Sequence, residues 1–183
     1  MLFRSERRPG GPPLAHGLLQ RRFHAVFLNA LGGLRHHKDH TVLACLWDRR
    51  RLLVAQVGDS SLLVRRDGRW QLAIAPHKGE CANETTFLRA STPPQAIALW
   101  WVPADEVDAV IGFSDGLEAA FLSPSPAAPE QLRPNTDLAE LLLQQHRLRC
   151  GWKGYGDWLK ASLADPALAS LSDDDRSLVI AAC

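Results

Sequence analysis

The sequence predicts an α+β domain, with helices packed on antiparallel sheet, from three observations. Apolar runs of strand length come in hairpin-like pairs early in the chain of 183 residues. Helical periodicity is confined to one segment near the start and two in the last third. With 46% of its residues apolar, a chain of this length forms one domain around a sizeable core. Blocks of strands followed by blocks of helices favour α+β over alternating β-α-β units.

Met1 to Pro13 is rich in Arg, Pro and Gly and reads as a disordered basic lead-in, leaving 14–183 as the domain. From Leu14 to Leu34, Leu18, Leu19, Phe23, Val26, Phe27, Ala30, Leu31 and Leu34 recur at helical spacing. This predicts an amphipathic helix ended by Gly32-Gly33. His36, His37, Asp39 and His40 follow. Adjacent histidines project differently and no supporting ligand stands at a suitable distance, so a solvated loop is the reading here.

Thr41 to Trp47 and Leu52 to Val57 flank Asp48-Arg49-Arg50-Arg51 and predict a hairpin. Ser61 to Arg66 and Arg69 to Ala75 flank Asp67-Gly68, which suits a two-residue type I′ turn. His77 to Arg89 lacks periodicity and reads as a polar loop. Gln95 to Val102 and Val107 to Phe113 are further strands, punctuated by Pro93, Pro94 and Pro103. Ser123 to Pro134, with its prolines, reads as a surface excursion. Asp137 to Leu148 and Tyr155 to Leu163 are helical, and Ser177 to Ala182 is a final buried strand.

A net charge of +1 points to neither nucleic acid nor a membrane surface. The six tryptophans are dispersed and suit packing better than a base-stacking platform. No apolar run is long enough to span a bilayer, and the N-terminal arginines lack the apolar segment of a secretory signal. Cys45, Cys81, Cys150 and Cys183 lie far apart without a C-x-x-C pair. Scattered thiols favour a reducing, cytoplasmic setting over a zinc site or disulfide framework.

The stretch with the most chemistry is Val110-Ile111-Gly112-Phe113-Ser114-Asp115-Gly116-Leu117. An apolar strand ends in a hydroxyl, a carboxylate and a glycine that lets the chain turn away, leaving Asp115 at the rim of a sheet. Val57-Gly58-Asp59-Ser60 and Ser172-Asp173-Asp174-Asp175-Arg176-Ser177-Leu178-Val179-Ile180 repeat the pattern of acids at a strand boundary. Oxygen ligands from three strand ends suit a hard divalent cation; ordinary turn residues are the bland alternative.

In this order, Val57 to Ser60, Phe113 to Leu117 and Asp174 to Val179 resemble the GDS, SDG and terminal D-[ND]-x-[TS] motifs of the PPM (PP2C) metal-dependent protein phosphatases. The loop His77 to Leu88 is similar to that of a bacterial subgroup. The resemblance covers roughly Thr41 to Cys183 and implies a two-layer antiparallel β-sandwich flanked by helices. It also implies Mg²⁺ or Mn²⁺ in a cleft at one end and hydrolysis of phosphoserine or phosphothreonine on protein substrates in cytoplasmic signalling. By motif match, Asp115 and Asp174 would ligate metal directly and Asp59 would lie near an accessory position. Asp175 stands where the family usually has Asn, and Asp173 has no clear counterpart. In the loop, Thr85 and Thr86 are candidates to approach a substrate, but a structural cap of the cleft through Glu80, Asn83 and Glu84 is what the resemblance favours.

Family members also begin with a hairpin bearing an acidic pair, a D-G-x-G-like segment whose Asp bridges both metals, and an early Arg that grips phosphate. None of these has a counterpart here: neither Pro9-Gly10-Gly11-Pro12 nor Gly32-Gly33 follows an acid. Arg21 and Arg22 read as solvent-facing helix charges. The expectation is a PP2C-like domain incomplete at its N-terminus, of reduced activity as it stands, with an open sheet edge suited to self-association. A non-catalytic PP2C-like module that regulates a partner or binds phosphoproteins is the alternative. An unrelated α+β interaction domain is a third.

Overall fold

The computed structural model describes residues 13–31, 41–76, 87–88 and 91–183. The basic lead-in, the Gly32-Gly33 helix end, the 36–40 His/Asp cluster and nearly all of the 77–89 loop fall outside them. The chain forms two compact units, Met1–Ser60 with Pro76–Ala104, and Ser61–Ala75 with Asp105–Cys183.

The first unit begins with helix α1 (Pro13–Leu31), where the predicted periodicity puts Phe27 in the core. Strands β1 (Val42–Trp47) and β2 (Arg51–Val57) form the predicted hairpin, Val42 opposite Val57 and Trp47 opposite Leu52. The Asp48 carboxylate shapes the turn by accepting the amides of Arg50 and Arg51 at 2.7 and 2.8 Å. Those two hydrogen bonds favour the charged form and hold its pKa below the ordinary carboxylate value. β2 is buried from Leu52 onward because it is the middle strand of a three-stranded sheet, with β1 on one side and the strand Ala98–Pro103 on the other. The third strand of that sheet pairs Trp101 with Leu53 and Leu99 with Ala55. On one face, Ala55 and Val57 pack with Phe27, Leu88 and Ile97.

The second unit holds the larger sheet. Strands β3 (Ser61–Arg66) and β4 (Arg69–Ile74) turn at Asp67-Gly68, both with positive φ (50° and 72°). That is the type I′ signature expected of the dipeptide. The remaining strands are β5 (Ala98–Pro103, in the first unit), β6 (Val107–Phe113), β7 (Leu122–Ser125), β8 (Ala128–Pro134) and β9 (Leu178–Ala182). The sheet is ordered β4-β3-β6-β9 and wholly antiparallel. β6 lies between two neighbours and is buried except at Asp108, which explains its nearly unbroken apolar text.

Helices α2 (Glu118–Phe121), α3 (Thr136–Arg149), α4 (Tyr155–Leu163) and α5 (Pro166–Ala169) complete the unit. Asn135 caps α3, its side chain accepting from Leu138 N at 3.2 Å, and Ala139 and Leu143 are fully buried. They join Leu63, Ala109, Ile111, Phe113, Leu117 and Phe121 in one apolar cluster, with the Phe113 and Phe121 rings stacked at 4.6 Å. Arg65 ties helix to sheet through ion pairs to Asp108 and, at 3.1 Å, to Glu140, which also accepts from Trp70 Nε1 at 3.1 Å.

Two sequence expectations change. The strand expected from Gln95 starts at Ala98, because Pro94–Ala96 forms a 3-10 turn. The proline-rich excursion is a two-stranded hairpin, β7 against β8, pairing Leu122 with Pro134 and Pro124 with Leu132. Both strands are edges, so prolines fit wherever no ladder donor is needed. No helix among the described residues is long and apolar enough to cross a membrane.

Candidate metal centre

Two carboxylates expected at strand ends are brought together by a junction of backbone and hydroxyl contacts. β6 runs through the core and stops at Phe113, and Ser114 continues in extended conformation (φ −79°, ψ 169°) before a 3-10 turn over Asp115–Leu117. β9 pairs with β6 from Leu178, opposite Phe113. Just beyond the ladder, Ser114 N donates to Ser177 O at 3.1 Å. The Ser114 hydroxyl accepts from Ser177 N and donates to Asp175 O, both at 2.9 Å. One small side chain therefore satisfies both strands where the sheet pairing ends.

Gly116 brings the segments closer still. A Cβ there would stand 2.5 Å from Asp175 O and 2.8 Å from Asp174 O, so only glycine fits. Its amide donates to Asp115 Oδ1 at 2.8 Å, fixing the carboxylate against its own turn. Across the junction, Ser172 Oγ donates to Asp174 Oδ2 at 3.3 Å and accepts from Asp174 N at 3.1 Å. Asp115 and Asp174 are both exposed, so their charge stays in water where a cation can reach it.

Asp59 belongs to the first unit, half-buried just after β2. Gly58 before it has a φ of +106°, and a Cβ there would meet Thr41 Cγ2 at 2.5 Å. The buried Gln56 amide secures this turn by donating to Gly58 O at 3.0 Å and also to Ser60 O. Asp173 and Asp175 are exposed; the part of Asp175 that acts at the junction is its main-chain carbonyl. Arg176, next to Asp175 in the chain, has its Nη1 buried without a hydrogen-bond partner among the described residues. Nothing in the D-D-R-S text marks that arginine, because its burial follows from the fold. Glu80, Asn83, Glu84, Thr85 and Thr86 lie outside the described residues.

The donor set is all oxygen and formally anionic, the chemistry that hard Mg²⁺ or Mn²⁺ prefers, and an ion held by one or two carboxylates plus water is a common arrangement. Among the described residues no group of three or more His, Cys, Asp or Glu side chains is gathered as for a metal. Asp115 and Asp174 are of the donor type that such an ion takes, with the rest of its shell left to water.

A family model described as protein phosphatase 2C matches residues 36–163. Comparison with curated proteins finds no match. Among solved structures, three crystal structures of bacterial serine phosphatase bearing different single arginine substitutions align at 16% identity, with TM-scores of 0.55, 0.53 and 0.57. Each alignment covers 92% of this chain and, in turn, 66%, 67% and 69% of the matched chain. The chain thus spans about two thirds of the length of these structures, and the likeness is one of fold: helices with antiparallel sheets.

Proposed function

Because the chain belongs to the protein phosphatase 2C family, we propose that it acts in metal-dependent hydrolysis of phosphoserine or phosphothreonine on proteins. Asp115 and Asp174 hold Mg²⁺ or Mn²⁺ in this reading, and Asp59 serves an accessory position. The observation that carries the proposal is the junction at Gly116, where backbone contact with Asp174 and Asp175 sets Asp115 beside them. Two acids distant in sequence thus stand on adjoining turns at one end of the β6–β9 pairing.

When bound, divalent metal supplies an acidified water and neutralises charge on the phosphoryl group. The chain's own residues supply position. Gly116 N orients one Asp115 oxygen, Ser172 Oγ orients one Asp174 oxygen, and Ser114 keeps the two segments in register. Arg176, with a donor nitrogen that has no acceptor among the described residues, suits an anionic oxygen.

Two carboxylates hold a metal pair poorly, so activity of residues 1–183 alone is low in this reading. Misplacing a reacting group by about 1 Å costs on the order of a hundredfold. That no larger acidic group is gathered among the described residues supports a second reading, a non-catalytic module that regulates a partner or binds phosphoproteins. Self-association belongs to either reading, since β1 pairs only with β2 among the described strands and exposes Leu46.

Calorimetric titration with Mn²⁺, followed by turnover of phosphothreonine peptides, separates the readings. We expect weak Mn²⁺ binding that Asp115→Ala and Asp174→Ala each abolish, with slow, EDTA-sensitive turnover. Mn²⁺ binding unchanged in both variants would overturn the metal assignment. Tight phosphopeptide binding without turnover would favour the non-catalytic module.

A further inference from the structure

Behind the Asp115 turn, the second unit contains a half-open cleft of about 470 Å³ between α3, α4 and α5. This lies within the range of roughly 300–1,000 Å³ typical of small-molecule sites. Leu117 and Leu178 form part of its wall, so the cleft backs onto the chain segments that carry the two carboxylates. Leu142 from α3 and Trp158 and Leu159 from α4 continue the apolar lining.

Three polar groups interrupt it: Gln145, Ser162 and Asp165. The Ser162 hydroxyl donates to Trp158 O at 2.9 Å and keeps its lone pairs for an incoming donor. Asp165 Oδ1 accepts from Ala167 N at 2.7 Å, which holds the carboxylate in place at the start of α5. None of the lining residues is basic. Arg149 stacks over the Trp158 ring, 5.3 Å from its centroid, without lining the cleft. A carboxylate with no compensating cation opposes an anionic guest and welcomes a hydrogen-bond donor.

We propose that this cleft binds a small neutral amphiphile, with an aliphatic body against Leu142 and Trp158 and a hydroxyl head donating toward Ser162 and Asp165, beside Gln145. The shape sets the size of the body, and the charge of the lining selects the head. Binding of such a guest is independent of phosphatase activity and needs neither metal nor phosphorylated substrate.

The probe is octan-1-ol, with octanoate as its anionic counterpart, titrated into residues 1–183 and followed by calorimetry and ligand-observed NMR. Octan-1-ol is expected to bind at least tenfold more tightly than octanoate. Leu142→Trp, which fills the cleft, should abolish binding. Ser162→Leu, at a half-buried helical position, should weaken it at least tenfold while leaving the melting temperature at or above the parent's. If Leu142→Trp does not fold, Ser162→Leu decides. Equal binding of octanoate, or octan-1-ol binding unchanged in Ser162→Leu, overturns the proposal. A dimer that Leu141→Asp dissociates would assign the cleft to a second copy and also overturn it.

Discussion

Replacing Gly116 with alanine tests the junction that sets Asp115 beside Asp174. The new methyl would stand 2.5 Å from Asp175 O, 2.8 Å from Asp174 O and 3.0 Å from the Asp175 carbonyl carbon. All three are backbone atoms of a segment already tied to Ser114 by two 2.9 Å hydrogen bonds, so they cannot rotate aside as a side-chain tip would. Gly116 does not need a left-handed φ, and the cost is therefore one of overpacking, about 1–3 kcal/mol. In a domain of this length each kcal/mol moves the midpoint by about 2–4 °C, so Gly116→Ala should lower Tm by about 2–12 °C. Gly156 in α4 provides the control: a Cβ there meets nothing within 4 Å. Gly156→Ala should stabilise by about 0.5–1 kcal/mol through the lost backbone freedom of the unfolded chain. Calorimetric melting of the two variants should thus move in opposite directions from the parent, and Mn²⁺ affinity should fall only in Gly116→Ala. A Gly116→Ala protein that melts no lower than the parent and binds Mn²⁺ equally would refute the close approach.

Further outcomes can be checked on the same protein. Gly58→Ala combines a φ of +106° with a Cβ 2.5 Å from Thr41 Cγ2, and should cost about 1–3 kcal/mol in urea unfolding. Leu143→Ala removes a fully buried α3 side chain from the main cluster and should cost about 2–5 kcal/mol, read as a lower urea midpoint at constant slope. His146 contacts the Tyr155 hydroxyl at 2.8 Å between α3 and α4. Desolvation first, and the nearby Arg147 charge second, lower its pKa below the ordinary 6.5. The unfolded chain therefore takes up this proton first as pH falls. The contribution to stability is full above 6.5 and is lost as pH drops toward the folded value. Between about pH 7.5 and 5, the span over which histidine titrates, His146→Gln should lose less Tm than the parent. An identical loss in both would remove His146 as a source of the acid sensitivity.

The elements most legible in the sequence are those whose local chemistry and tertiary setting agree. Asp67-Gly68 demands positive φ at two successive residues and obtains it, so the β3–β4 turn could be placed from the text. The run Val107 to Phe113 reads as a buried strand because neighbours on both sides enclose it. The Ser123 to Pro134 segment misled because proline argues against a central strand, and only the fold reveals that both strands of this hairpin are edges. Four-residue helices such as α2 and α5 offer barely one turn of periodicity to detect.

The site was legible in kind but not in geometry. Asp115 and Asp174 each stood out because an acid interrupts apolar text at a strand end, yet nothing in either segment states that the two turns meet. The link is made by Ser114, whose hydroxyl bonds Asp175 O and Ser177 N across separations of 61 and 63 residues. It is completed by Gly116, which looks in sequence like any turn glycine. Its φ lies outside the left-handed region, so turn conformation does not account for it; the carbonyls of Asp174 and Asp175 do. A glycine required by close approach and one required by backbone conformation read identically along the chain. Their alanine variants separate them: at Gly58 strained φ adds to the Thr41 contact, whereas at Gly116 the penalty should shrink once the facing 174–175 segment is free to move. Ser114→Ala, which cuts both side-chain bonds to that segment, should therefore reduce the cost of Gly116→Ala in a double-mutant cycle, with a coupling of about 0.5–3 kcal/mol. Strict additivity of the two substitutions in urea unfolding would show that Gly116 does not act through the segment bearing Asp174.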